Sequence, residues 1–178
     1  MNAPLILDAK RELLLGCGNS RVKKVHGSWT MSNWSKLTTL DIDPATGCDV
    51  THDLDVLPYP FEDNSFDEVH AYEVLEHCGK QGDWRFFFAQ FYEFWRILKP
   101  DGYFVATVPM WDSPWAWSDP GHTRIITKKS LIFLDQREYA QIGETSMSDY
   151  RGVWKGNFEP MSAREKEDTF GFILQAKK

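Results

Sequence analysis

A run of three leucines that ends in two closely spaced glycines constrains this chain more than any other feature. Residues 13–18 read Leu-Leu-Leu-Gly-Cys-Gly. The apolar run predicts a buried strand over residues 12–15 that Gly16 ends, and residues 20–24 are compatible with a short helix after the loop. Glycine allows a tight turn and lets a ligand approach where a Cβ would clash. The pattern therefore indicates either a structural turn or a ligand-binding loop at the carboxyl end of a strand.

Short apolar segments alternate with helical patterns along the rest of the chain. This alternation predicts an α/β fold with a parallel sheet and crossover helices. Residues 83–98 are predicted to form a helix, because Phe87, Phe91, Phe94 and Leu98 recur on one face and indicate a core stripe. Thr127 is predicted to cap a short helix that continues to residue 134, and residues around Trp154 show no clear period. The further predicted strands are residues 37–42, 48–52, 66–71, 103–108, 139–145 and 170–176, the last two as a candidate antiparallel pair.

Length and composition predict one globular domain over residues 1–178. No apolar run approaches the roughly 20 residues of a membrane span, and the N-terminus lacks the pattern of a secretory signal. The three cysteines are scattered, which favours reduced thiols in the cytoplasm and predicts no metal site. The net charge of −6 disfavours a nucleic-acid partner.

Carboxylates follow the second and third predicted strands. Asp41 ends the second strand and is placed to accept hydrogen bonds from the ribose hydroxyls of an adenosyl or nicotinamide cofactor. Asp43, directly before Pro44, fits a turn acid better. Asp53 follows the third strand, where an acid can meet the amino group of an adenine.

These segments together resemble the class I S-adenosylmethionine-dependent methyltransferases, especially the small bacterial and phage type. The resemblance covers most of residues 12–135 and rests on LLLGCGNSR, LDIDP, HDLDVLPYPFEDNSFDEV, YEVLEH, FWRILKPDGYFVATVP and SDPGHTRIIT. It implies a Rossmann-like, doubly wound, mostly parallel sheet with helices on both faces and an antiparallel last strand. It also implies S-adenosylmethionine as cofactor. The implied binding residues are Gly16, Cys17 and Gly18 in the loop, Asp41 and Ile42 at the ribose, Asp53 and Leu54 at the adenine, and Tyr72 and Glu73 at the methionine end.

Two departures from the family pattern keep other functions open. Leu14 stands where the family usually has an acid, and Ser20 replaces the third loop glycine. A non-catalytic adenosyl-binding regulatory or scaffold domain is therefore the alternative to a methyltransferase. A nicotinamide-dependent oxidoreductase is disfavoured, because Arg21 occupies the third glycine position of its fingerprint.

The aromatic segment 111–122 follows the fifth strand and is predicted to form the acceptor-side wall. Within it we predict His122 as a general base and Asp119 as the residue that orients it, although residues 119–121 also fit a structural turn. His77 is a second candidate that also fits a purely structural role. The acceptor stays open between a small molecule, a sugar and a peptide. Amino-methylation of DNA is disfavoured, because residues 72–75 lack the Asp/Asn-Pro-Pro-aromatic loop.

Overall fold

A computed structural model describes residues 9–25 and 33–178 and places seven strands in one sheet. The strands are β1 (Arg11–Leu15), β2 (Lys36–Asp41), β3 (Val50–Thr51), β4 (Phe66–Tyr72), β5 (Leu98–Pro109), β6 (Phe158–Lys166) and β7 (Thr169–Ala176). The helices are α1 (Trp84–Ile97), α2 (Pro114–Ser118) and α3 (Lys128–Leu131), with 3₁₀ helices at Pro44–Thr46, Leu75–His77, Ile132–Leu134 and Gln136–Gln141.

The spatial strand order is β3-β2-β1-β4-β5-β7-β6. The first five strands pair in parallel, whereas β7 runs antiparallel to both of its neighbours. This arrangement confirms the predicted Rossmann-like sheet with an antiparallel last strand. Because the parallel strands share a direction, the loops after β1, β2, β3 and β4 all leave the sheet at one edge.

The aromatic stripe of α1 packs against the sheet, as predicted from its spacing. Asp83 caps the helix by accepting a hydrogen bond from the backbone N–H of Phe86 at 3.0 Å. Phe91 and Phe94 are fully buried, and the ring of Phe94 stacks on Phe104 of β5 with centroids 4.5 Å apart. Burial of this aromatic face anchors the crossover between β4 and β5.

The other face of the sheet carries buried charges beside a small apolar cluster. Glu12 of β1 and Glu68 of β4 both accept hydrogen bonds from Lys23, whose side chain is buried beneath the sheet. Glu68 also bonds His70 Nε2, with 3.0 Å between the atoms. These bonds explain why the predicted helix at residues 20–24 is wrong. Residues 20–25 have no helical structure, and Lys23 is held by the sheet.

The predicted strand at residues 139–145 is also wrong. Asp135 accepts a hydrogen bond from the backbone N–H of Arg137 and starts a 3₁₀ helix, Gln136–Gln141, and beyond it Ile142 and Thr145 form only an isolated bridge. The strand that pairs with β7 is β6, which begins in the region around Trp154 where the sequence shows no period. Most of β6 is only partly buried or exposed, so its apolar alternation is weak.

Within the described residues, no helix has the length and apolar character needed to cross a membrane. The N-terminal residues 1–8, which bear most of the prediction about a secretory signal, lie outside the described residues.

Candidate functional site

A cavity of about 470 Å³ opens at the carboxyl edge of the sheet. Its volume lies in the range of small-molecule sites, about 300–1,000 Å³. Six of the nine residues predicted to bind a cofactor line it: Gly16, Gly18, Asp41, Ile42, Asp53 and Leu54. The lining is completed by residues that the sequence analysis did not assign to the cofactor: Leu40, His52, Asp55, Val74, His77 and Cys78.

The two loop glycines both have positive φ angles, +57° at Gly16 and +48° at Gly18. A Cβ on Gly16 would lie 2.4 Å from Val74 Cγ2, so this glycine allows the loop after β4 to approach the loop after β1. A Cβ on Gly18 would have no neighbour within 4 Å. Because Gly18 also lines the cavity, its missing side chain leaves space for a ligand.

Asp41 joins the end of β2 to the glycine loop. Its Oδ2 accepts the backbone N–H of Gly18 at 2.8 Å, and its Oδ1 accepts that of Asp43 at 3.0 Å. A carboxylate has about four lone-pair positions, so it retains capacity for a ligand hydroxyl. Asp43 instead accepts the N–H of Ala45 and caps the 3₁₀ helix Pro44–Thr46, which confirms its interpretation as a turn acid.

The loop after β3 supplies a second acidic wall with an apolar floor. Asp53 Oδ1 accepts the N–H of Asp55 at 2.9 Å, and Asp55 Oδ1 accepts the N–H of Gly79 at 2.9 Å. Leu54 is buried, and its carbonyl accepts the hydroxyl of Tyr59 at 3.1 Å. These bonds hold Asp53 and Leu54 in place at the cavity wall.

Cys17, Tyr72 and Glu73 are not among the residues that line the cavity. Cys17 and Tyr72 are buried in the small cluster on the face opposite α1, and the Tyr72 hydroxyl lies 2.7 Å from His70 Nδ1. Alternation along β4 produces this placement, because Tyr72 points to the same face as His70. Glu73 is exposed, has a φ of +54°, and donates its backbone N–H to the carbonyl of Thr107.

The predicted catalytic pair lies together after β5. His122 Nε2 and Asp119 Oδ2 are 3.8 Å apart, and the rings of His122 and His77 form an edge-to-face pair with centroids 4.6 Å apart. Asp119 also accepts the N–H of Gly121 at 2.7 Å, so the turn and the pair are both present. His77 lines the cavity and thereby connects it to this pair.

Glu76 is a site residue that the sequence analysis left without a chemical role. Its side chain is buried, and burial raises the pKa of its carboxyl to about 8, with the nearby carboxylates of Glu73 and Asp119 acting in the same direction. Glu76 Oε2 and His122 Nδ1 are buried and have no hydrogen-bond partner in the described part of the chain. The sequence offers one signal for this residue: Glu76 follows two apolar residues and directly precedes His77.

Three tryptophans of the acceptor-side segment are exposed. Trp111, Trp115 and Trp117 have exposed fractions of 55%, 66% and 71%. Trp117 donates its indole N–H to the carbonyl of Trp111 at 2.8 Å, which ties α2 to the end of β5. Large exposed aromatic groups at a ligand edge are typical of a binding surface.

Comparisons with known proteins agree with this geometry. A family model described as "Methyltransferase domain" matches residues 13–106, more than half of the chain. A search of curated proteins found no match.

Solved structures share the fold at low sequence identity. A SAM-dependent methyltransferase from Archaeoglobus fulgidus has a TM-score of 0.57 at 14% identity, with 94% of this chain and 86% of that chain covered. One from Methanosarcina mazei has a TM-score of 0.54 at 18% identity, with coverage of 99% and 98%. The 1,6-didemethyltoxoflavin-N1-methyltransferase of Burkholderia thailandensis, with bound 1,6-didemethyltoxoflavin and S-adenosylhomocysteine, has a TM-score of 0.56 at 14% identity, with coverage of 96% and 72%.

Proposed function

This chain belongs to the methyltransferase-domain family and is a class I S-adenosylmethionine-dependent methyltransferase, and we propose that it methylates an acceptor held between the cavity and the segment 111–122. The observation that carries the proposal is the cavity in which Gly16, Gly18 and Asp41 meet. Membership of this family favours an enzyme over both alternatives, the non-catalytic adenosyl-binding domain and the nicotinamide-dependent oxidoreductase.

The residues of the cavity fit the cofactor chemically. We propose that the Asp41 carboxylate accepts the ribose hydroxyls beside Ile42, and that Asp53 and Leu54 hold the adenine through one polar and one apolar contact. Gly18 leaves the space that the ligand needs. The cofactor supplies an electrophilic sulfonium methyl, to which the acceptor's electron pair bonds while the carbon–sulfur pair stays on sulfur.

The methionine end requires a separate proposal, because Leu14 is apolar and faces the small cluster on the opposite side of the sheet. The resemblance assigns this end to Tyr72 and Glu73, of which Glu73 is exposed. We propose that the exposed Glu73 carboxylate pairs with the methionine ammonium, and that Cys17 and Tyr72 support the loops from beneath. Glu73 directly follows β4 and precedes the cavity residue Val74.

On the acceptor side we propose that His122, oriented by Asp119, assists the loss of a proton from the acceptor. The side chain of His122 is largely buried, and Asp119 lies on its Nε2 side. A positioned proton-accepting group contributes typically about 10²–10⁴-fold to rate. Holding the acceptor in line with the methyl group also raises the rate of methyl transfer, because it orients the reacting atoms.

The charges around this end favour a small molecule, a sugar or a peptide over a nucleic acid. Glu73 and Asp119 act on the buried Glu76 as negative neighbours, and the chain carries a net charge of −6. Such a field repels phosphate. We further propose that residues 1–178 act as one domain in the cytoplasm, where the three free cysteines stay reduced.

Calorimetry on the full chain with S-adenosylmethionine and S-adenosylhomocysteine tests the proposal, with NAD as the control ligand. We expect saturable binding of both adenosyl compounds and none of NAD. Acceptor fractions of a cell extract, supplied with cofactor carrying a labelled methyl group, should then become labelled. Binding of NAD alone would overturn the assignment of the cavity.

A further inference from the structure

We propose that Glu76, His77 and His122 bind one divalent transition-metal ion at the acceptor end of the cavity. One carboxylate oxygen of Glu76 and one ring nitrogen of each histidine all lie within 4.8 Å of one another. This inference rests on the proposed function, since it specifies how the acceptor loses its proton.

Backbone hydrogen bonds bring the three side chains together. The carbonyl of Glu76 accepts the N–H of Thr123 at 2.8 Å, and this bond places His122 against the 3₁₀ helix Leu75–His77. The segment after β5 is thereby fixed to the end of β4. The three ligand residues therefore lie on two segments, one after β4 and one after β5, whose backbones are hydrogen-bonded to each other.

Two buried polar atoms of the cluster indicate that it can bind an ion. Glu76 Oε2 and His122 Nδ1 have no hydrogen-bond partner among the residues that the structure describes, and the Glu76 side chain is only 3% exposed. Leaving a buried polar atom unsatisfied is unfavourable, and more so for a charged group. Bonds of about 2.0–2.2 Å to one ion would satisfy both atoms.

The outer nitrogen of His77 is held by a hydrogen bond, as in metal sites. His77 Nδ1 lies 3.1 Å from the carbonyl of Gly121, to which it donates its proton, so Nε2 carries the lone pair. His122 Nε2 lies 3.8 Å from Asp119 Oδ2, beyond hydrogen-bond distance, and the buried Nδ1, which has no partner in the described part of the chain, is its available ligand atom. A carbonyl or carboxylate on the outer nitrogen is the usual support of a metal-binding histidine.

A second group of the same residue types shows the contrast. Glu12, Glu68 and His70 also meet beneath the sheet, but Lys23 Nζ bonds both carboxylates there and supplies the positive charge. Glu76 has no such bonded cation among the described residues: Arg124 acts on it electrostatically, but its guanidinium donates to the Leu75 carbonyl and the Gln90 amide oxygen and leaves Glu76 Oε2 without a partner. The cluster at the cavity is therefore the one whose polar atoms call for a cation.

Two histidines and one glutamate form a ligand set that suits Zn²⁺ and related transition ions. Three protein ligands leave a coordination position open, and His77 places it beside the cofactor cavity. An acceptor O–H or N–H bound there would release its proton to water, and its electron pair would then attack the methyl carbon. His122 would then assist proton loss as a ligand of the ion, and water would accept the proton in its place.

The test is calorimetric titration of the full chain with Zn²⁺ and, separately, Mn²⁺, which thiolates bind poorly. We expect one Zn²⁺ per chain and weaker binding of Mn²⁺. His77→Asn, at an exposed position, and Glu76→Gln should each lower the Zn²⁺ affinity by at least about tenfold. His52→Asn, a histidine outside the cluster, is the matched control and should retain it.

No saturable Zn²⁺ binding, or wild-type affinity in His77→Asn, would overturn the metal site. Circular dichroism checks the fold of each variant, so that a loss in Glu76→Gln is counted only for folded protein. The same samples are titrated with S-adenosylmethionine. Cofactor binding without metal binding refutes this inference alone, whereas absent cofactor binding in the wild type refutes the proposed function.

Discussion

Asp41 Oδ2 accepts the backbone N–H of Gly18 at 2.8 Å, and this bond joins the end of β2 to the glycine loop after β1 at the wall of the cavity. The carboxylate therefore has two tasks. It holds the glycine loop in its left-handed conformation and presents its free lone pairs to the cavity. Alanine at Asp41 should weaken cofactor binding by removing the carboxylate, whereas alanine at Gly18 should weaken it by filling space in the cavity.

Asp41→Ala should weaken S-adenosylmethionine binding by about ten- to a hundredfold, since bonds to a charged group contribute about 1.5–3 kcal/mol. Asp43→Ala is the matched control, because Asp43 only caps a short 3₁₀ helix and should change affinity little. Calorimetry with both variants makes the comparison. Equal losses would mean that loop geometry, and not the Asp41 carboxylate, sets the affinity.

Gly16→Ala and Gly18→Ala separate packing from ligand space. Both positions have positive φ, which costs a non-glycine residue about 1–2 kcal/mol. Gly16→Ala additionally places a Cβ 2.4 Å from Val74, so it should lower the melting temperature more. Gly18→Ala has free space in the protein, and we expect its main effect on cofactor affinity. Thermal melts and calorimetry on both variants check this, and the reverse order of melting temperatures would contradict it.

Among the three cysteine thiols, that of Cys48 should be alkylated first. Burial raises the pKa of Cys17 and raises that of Cys78 to about 11. Burial also acts on Cys48, but hydrogen bonds from Thr46 and Thr51 outweigh it and lower the pKa of that thiol. Because the thiolate is the nucleophile, alkylation near pH 7.5 should modify Cys48 first, as read by peptide mass spectrometry. Faster modification of Cys78 would contradict the burial of that residue.

Acid should destabilise the protein partly through Glu68. Burial opposes the charged form of Glu68, but hydrogen bonds from His70, Lys23 and Lys10 prevail and hold its pKa well below the usual range. A lowered folded-state pKa stabilises the protein above the unfolded value near 4.3, and this contribution is lost as pH falls from about 5.

Glu68→Gln should therefore lose much of its stability at pH 7, about 3–5 kcal/mol, and approach the wild type on acidification. Urea unfolding between pH 7 and pH 3 measures the difference. Glu165→Gln, at an exposed position of β6, is the control and should follow the wild type. A constant gap between Glu68→Gln and the wild type across this range would refute the linkage.

Trp115→Ala should lower methyl transfer and leave cofactor affinity nearly unchanged. Trp115 lies on α2, beyond the end of β5, and is 66% exposed. Its removal deletes apolar contact area on the acceptor side only. Tyr92→Ala, which removes an exposed aromatic on α1, is the control. Labelled-methyl transfer into the acceptor fraction is the readout, and equal rates in both variants would remove α2 from the acceptor wall.

The sequence by itself determined the parallel part of the sheet and the edge at which the cavity lies. The apolar run before Gly16 and the aromatic period of α1 are local signals, and each was confirmed. Because parallel strands share a direction, the order of the loops along the chain was sufficient to predict that Gly16, Asp41 and Asp53 line one edge.

Only the tertiary structure decided which segments depart from their local pattern. Residues 139–145 have strand-like composition but follow the cap at Asp135, and the exposed β6 supplies the partner of β7. Residues 20–24 were compatible with a short helix, yet buried carboxylates on β1 and β4 hold Lys23 beneath the sheet. In both cases long-range contacts outweigh weak local propensities.

The acceptor end shows the same division. Spacing along the chain singled out Asp119 and His122, because both lie in one aromatic segment. The meeting of His122 with Glu76 depends on the hydrogen bond from Thr123 to the Glu76 carbonyl, 47 residues away along the chain. The sequence pattern carries no trace of this contact, since a backbone hydrogen bond of this kind is independent of side-chain identity.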